Sequence, residues 1–94
     1  MYSRQVKLNN VSGLHARPAA EFAKTAKRFI SVVEIRKEGS IRAVNAKSIA
    51  QLLSEAITSG TVVQISAQGP DEREAVDQLV ALVESGLGEK DVCV

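Results

Sequence analysis

The stretch Gly13-Leu14-His15-Ala16-Arg17-Pro18 places the chain's only histidine two positions before an arginine, where a loop turns into a helix. Pro18 has a fixed φ and no N–H, which suits a first helical turn whose amides have no intrahelical acceptor, so a helix is predicted from about residue 16. Gly13 allows the chain to turn sharply out of the preceding segment, and Leu14 can pack down to set the entry angle. His15 then stands at the positive end of the helix. Free amides and the macrodipole there favour an anion over a second positive charge, which favours a neutral imidazole near pH 7. A phosphate on His15 would meet the backbone donors of the turn that begins at Ala16, and the Arg17 guanidinium. The plainer alternative is a solvated histidine that closes a loop.

Outward from this stretch the hydrophobic spacing predicts seven elements. Downstream, Ala19, Phe22, Ala23, Ala26 and Ile30 recur every three or four residues between Glu21, Lys24, Lys27 and Arg28, the pattern of an amphipathic helix. Upstream, Tyr2, Arg4, Val6 and Leu8 alternate with polar residues as one face of a strand, with Arg4 interrupting the apolar series. Val32, Val33 and Ile35, then Ile41, Ala43 and Val44, flank Lys37-Glu38-Gly39-Ser40 and read as a hairpin. Ser48-Ile49-Ala50-Gln51 reads as a capping box opening a second helix over 49–58, with Gly60 as the left-handed residue that ends it. Val62, Val63, Ile65 and Ala67 form a fourth strand. Asp71 with Glu74 signals a third helix, carried by Ala75, Val76, Leu79, Leu82 and Val83 and ended at Ser85-Gly86.

Leu87 to Val94 reads as a loose tail, so a single domain over 1–88 with a tail at 89–94 is expected. The order βαββαβα, with one apolar stripe per helix, predicts an α+β open-faced sandwich: a mainly antiparallel four-stranded sheet with three helices on one face. Element order alone also allows a ferredoxin-like arrangement with strands in the order 4-1-3-2.

Composition narrows the chemistry. Residues 1–47 hold ten Lys/Arg against three Asp/Glu, while residues 48–94 hold two against eight. If folding preserves that asymmetry, a basic face near His15 would suit an acidic partner. Cys93 is the one cysteine, so neither an intramolecular disulfide nor a cysteine metal cluster is available, and a reducing cytoplasm fits best. One histidine and one terminal cysteine do not make a tetrahedral metal site, and no cofactor motif is present. No apolar run is long enough for membrane insertion. Nucleic-acid binding is the competing class, given the basic first half. Two Phe, one Tyr and no Trp leave few rings for base stacking, however, and no KH-type glycine loop is present. Phosphoryl transfer needs only an exposed unprotonated nitrogen, donors for three oxygens and access for two partners in turn.

Gly13 to Pro18, together with Asn45-Ala46-Lys47-Ser48-Ile49 and Gly69-Pro70-Asp71-Glu72, resembles the HPr family, the histidine-containing phosphocarriers of the bacterial sugar phosphotransferase system. The resemblance spans nearly the whole chain and implies the sheet order 1-4-2-3. It also implies that His15 takes a phosphoryl group on Nδ1 from phosphoenolpyruvate-charged Enzyme I and hands it to IIA components, with Arg17 as the active-site arginine. Such a protein is a carrier rather than a stand-alone enzyme. Ser48 falls on the serine that an HPr kinase/phosphorylase modifies in some relatives to control carbon catabolite repression. The helix carrying Ile49, Leu52 and Leu53 falls on the apolar docking patch. Ala50 and Gln51 depart from the Met and Gly common after that serine, which leaves a specialised or nitrogen-related HPr paralogue as the alternative within the family.

Overall fold

The computed structural model describes residues 1–9, 13–14, 16–55 and 57–87. Among these the chain runs β1 (Tyr2–Lys7), α1 (Ala16–Ala26), β2 (Val32–Lys37), β3 (Val44–Asn45), α2 (Ile49–Ser54), β4 (Val62–Gln68) and α3 (Glu72–Glu84). The strands form one sheet in the order β1-β4-β2-β3, each neighbouring pair antiparallel, which rules out the 4-1-3-2 arrangement. The last strand in sequence is therefore central, with Val63 opposite Val6 and Ile65 opposite Ile35.

Strand alternation separates the two faces. Val6, Leu8, Val33, Ile35, Val44, Val63, Ile65 and Ala67 are buried under the helices, while Gln5, Glu34 and Arg36 point to the open side. The helices supply Ala19, Phe22, Ala23, Ala26, Leu52, Ala75, Val76, Leu79, Val80 and Val83 to the same core. Each fully buried Leu, Val, Ile or Phe side chain contributes about 1.5–3 kcal/mol there.

The interruption at Arg4 has a local cause. Its Nη1 lies 3.2 Å from Asp77 Oδ1 on α3, and the same oxygen accepts a 2.9 Å bond from the Tyr2 hydroxyl. Arg73 sits over the Tyr2 ring, 5.0 Å from its centroid. This edge strand thus reaches α3 through polar tips where an apolar residue was expected.

Five sequence expectations need correction. The second helix stops at Ser54 instead of reaching residue 58, because Ile57 returns to the core at 3% exposure and Lys37 Nζ takes the Glu55 carbonyl at 2.9 Å. Gly60 is left-handed, at φ 89°, but it lies in the following turn rather than at a helix end. The third strand is only Val44–Asn45: Ile41 is 98% exposed, and the Arg42 amide bonds back to Ser40 Oγ at 3.1 Å. Ile30 likewise leaves the apolar stripe, 75% exposed beyond the end of α1. Leu87, finally, is fully buried instead of starting a loose tail. Its amide bonds to Leu82 O at 3.0 Å and that of Gly86 to Val83 O at 3.1 Å, a Schellman closure that seats Leu87 on the core.

Asp71 is the N-cap residue of α3, yet its carboxylate does not cap that helix and Glu74 completes no box with it. The carboxylate instead reaches across to the α1–β2 connection. There it accepts from the Ile30 and Ser31 amides, each at 3.0 Å, and from the Ser31 hydroxyl. Ser31 is buried at 1% exposure, and this carboxylate is what satisfies it.

The Ser31 hydroxyl first, then the two amides, hold the Asp71 carboxyl below its ordinary range. An unfolded aspartate titrates near about 3.9, and the folded one lower. The stability tied to this group is therefore fully present above that value and is lost as pH falls through the folded pKa. Asp71→Asn should lower the melting temperature at pH 7 and flatten the decline seen on acidification below about pH 4. Parallel melting curves for the two proteins across that range would remove Asp71 from the acid response.

Candidate functional site

Gly13 and Leu14 place the histidine-bearing segment. Gly13 has φ 64° and packs directly on the backbone of 57–59: a β-carbon there would come within 2.6 Å of Ile57 O and 2.7 Å of Ser59 N. Leu14 is buried, and its amide donates to Ile57 O at 2.9 Å. Only a residue without a β-carbon fits this approach, which is the physical reason for glycine at position 13. His15 itself lies outside the described residues. It is bonded to Leu14, which is fixed to the core, and to Ala16, the first residue of α1.

Arg17 is exposed in the first turn of α1 and has no hydrogen-bond or ion-pair partner among the described residues. Pro18 behind it is buried, so the turn is held by its proline while its guanidinium stays available. The charge asymmetry of the sequence survives folding. Arg17, Lys24, Lys27 and Arg28 are exposed on α1 and the turn after it against half-buried Glu21 alone, whereas α3 carries Glu72, Glu74, Asp77 and Glu84 against Arg73 alone. Arg17 and Lys24 are two helical turns apart and share one face of α1.

Helix α2 packs beside α1. Ser48 is its N-cap, with extended φ and ψ of −108° and 111°, and Ser48 Oγ accepts from the Gln51 amide at 3.3 Å. The reciprocal half of the capping box is absent. Gln51 Oε1 instead accepts from the Asn45 amide at 2.9 Å, while Asn45 O takes the Ser48 amide at 3.1 Å. Of the three residues read as a docking patch, Ile49 is 39% and Leu53 41% exposed, but Leu52 is fully buried. Leu52 therefore belongs to the core, because a one-sided helix of this length must turn part of its apolar stripe inward.

Sequence reasoning missed the turn at 57–61, whose amides and carbonyls hold the chain at Leu8 and again at Leu14, just before the histidine. The composition Thr58-Ser59-Gly60-Thr61 is a turn signal, but Gly60 was assigned to a helix end. A shallow concavity of about 710 Å³ also runs along α3, lined by Pro70, Glu74, Gln78 and Ala81 among others. None of its lining residues belongs to α1 or α2, so it is separate from the histidine segment.

A family model described as the PTS HPr component phosphorylation site matches residues 2–85. The phosphocarrier protein HPr of Haemophilus influenzae is 46% identical over 83 residues, covering 88% of this chain and 95% of that protein. The HPr-like protein Crh of Bacillus subtilis is 46% identical over 84 residues, covering 89% and 96%. The crystal structure of HPr-C-His from Thermoanaerobacter tengcongensis superposes with a TM-score of 0.89 at 44% identity, covering 96% of this chain and 99% of that one. The Gly13 to Pro18 segment leading into α1, the βαββαβα order with its 1-4-2-3 sheet and these similarities together place the chain in the HPr family of phosphocarriers of the phosphotransferase system.

Proposed function

We propose that His15 accepts a phosphoryl group from phosphorylated Enzyme I, itself charged by phosphoenolpyruvate, and passes it to IIA components that serve sugar uptake. In each step the bond between phosphorus and the donor breaks as a bond to the accepting atom forms, which for the first step is His15 Nδ1. The lone pair of a neutral imidazole makes the attack, and the free amides opening α1, with Arg17, offset the charge on the phosphoryl oxygens. The observation that carries this reading is the exposed Arg17 in the first turn of α1, two residues after His15 and without a partner among the described residues, on a helix that leads to Lys24, Lys27 and Arg28 with Glu21 as its one acid. That face suits partners with acidic docking surfaces.

Ile49 and Leu53 on α2 supply an apolar element beside it. Among the described residues no helix is long and apolar enough to cross a membrane, and the proposed site of action is the cytoplasm. The test is transfer from phosphoenolpyruvate through Enzyme I to this protein and on to a IIA component. Salt-sensitive RNA binding without transfer would favour the nucleic-acid alternative.

A second reading is a mainly regulatory role, in a specialised or nitrogen-related paralogue. Similarity to HPr-like proteins named Crh, at 45% and 46% identity, favours keeping it beside the first. Ser48 is the proposed switch, modified by an HPr kinase/phosphorylase. Ser48→Ala removes a cap acceptor and should cost about 0.5–2 kcal/mol with little change in transfer. Ser48→Asp keeps an acceptor, and the fold should tolerate it. Its charge next to Ile49 should oppose an acidic partner, so the expected variant is stable but accepts phosphate poorly from subsaturating Enzyme I. Wild-type transfer by Ser48→Asp would leave Ser48 as a cap and nothing more.

A further inference from the structure

The residues from Ile57 to Thr61 grip the chain both before and after the stretch that leads to His15. The Leu8 amide donates to Thr61 O at 2.9 Å and Leu8 O accepts from the Gly60 amide at 2.8 Å, while the Leu14 amide donates to Ile57 O at 2.9 Å. Gly13 rests on the backbone of 57–59 with no room for a β-carbon. The turn is itself closed, by the Thr61 amide on Thr58 O at 3.2 Å and by the Thr58 and Thr61 hydroxyls 3.3 Å apart. Ile57 anchors it in the core at 3% exposure.

We infer that the Ile57–Thr61 turn is a positioning element for phosphoryl transfer, fixing where His15 stands relative to the amides and guanidinium of the first turn of α1. This rests on the reading of His15 as the acceptor. In-line transfer depends on placing the attacking nitrogen to within a fraction of an ångström, and displacements near 1 Å can cost about a hundredfold in rate. Leu14 is the residue covalently joined to His15, and its amide is bonded to this turn. The turn contains neither Arg17, assigned to the phosphoryl oxygens, nor Lys24, Ile49 and Leu53, which lie on the basic and apolar faces offered to partners. Disturbing it should therefore change the rate of transfer within the complex and leave the formation of the complex alone.

Gly60 offers a clean test. Its φ of 89° is one that branched side chains avoid, yet a β-carbon added there meets no heavy atom within 4 Å. Substitution thus acts through the backbone conformation and not through a clash. Asparagine tolerates left-handed backbone far better than valine does. The full chain is compared as wild type, Gly60→Asn and Gly60→Val. Each is measured as phosphoryl acceptor of Enzyme I with phosphoenolpyruvate for kcat and KM, and by hydrogen exchange at the Leu14 amide.

Gly60→Val should lower kcat about tenfold with KM unchanged within about twofold and with faster Leu14 exchange, whereas Gly60→Asn should stay within about twofold of wild type throughout. If Gly60→Val does not fold, Gly60→Ala serves in the same comparison. Faster Leu14 exchange with unchanged kcat would overturn the positioning role, as would equal losses from asparagine and valine. A wild-type protein that takes no phosphoryl group on His15 would instead overturn the acceptor reading on which the inference rests.

Discussion

Replacing His15 with alanine should abolish phosphoryl acceptance from phosphoenolpyruvate-charged Enzyme I, a larger change than any other single substitution in this chain should produce. The chain has no second histidine, so no other imidazole can take its place as acceptor. Serine esters are a poor alternative, because a hydroxyl is a weak nucleophile until an adjacent base activates it. The fold should survive the change, since the segment is held by Leu14 and Gly13 on one side and by buried Pro18 and Ala19 on the other. Acid-labile, alkali-stable label on the wild type and none on His15→Ala is the expected pair of results. Undiminished labelling of the variant would end the carrier assignment.

Arg17→Ala should slow transfer about ten- to a thousandfold, on the order of 1.4–4 kcal/mol of barrier, through loss of the cation facing the phosphoryl oxygens. Because Arg17 is exposed and unpartnered among the described residues, its removal breaks no native contact seen there. Unfolding free energy should accordingly stay within about 0.5 kcal/mol of wild type. Arg17→Lys separates the two components of its role. A lysine keeps the charge but not the planar fork, so it should recover part of the loss if charge dominates and little if bidentate geometry does. Transfer kinetics equal to wild type in Arg17→Ala would take the residue out of the site, and a large fall in stability would assign it to the scaffold.

The parts of the fold that were legible in the sequence are those where a local pattern and the tertiary core ask for the same thing. Phe22, Ala23 and Ala26 keep a helical period and are all fully buried; Val63, Ile65 and Ala67 alternate, and all three face the helices. Sheet order was a different matter. Periodicity left two topologies open, and family resemblance alone chose between them, because strand pairing at this distance in sequence leaves no local trace.

Where expectation and structure part, long-range contacts have overridden local rules. Asp71 stands where an N-cap aspartate should, but the buried Ser31 hydroxyl and two amides compete for its carboxylate and win. Gln51 fits a capping box, but the Asn45 amide claims its side chain. Leu52 sits on an apolar helix with Ile49 and Leu53, and nothing in the spacing says which of them turns inward. The turn at 57–61 went unnoticed as part of the site because its contribution is made by backbone groups, which any sequence supplies.

The most direct measurement is intact-mass spectrometry of the wild-type protein after incubation with phosphoenolpyruvate and catalytic Enzyme I, followed by fragmentation under neutral or alkaline conditions that preserve phosphohistidine. One added phosphoryl group, bracketed by fragments to His15 and lost on adding a IIA component, is the expected result. No added mass, or a phosphoryl group that maps to Ser48 and stays there when the IIA component is supplied, would contradict it.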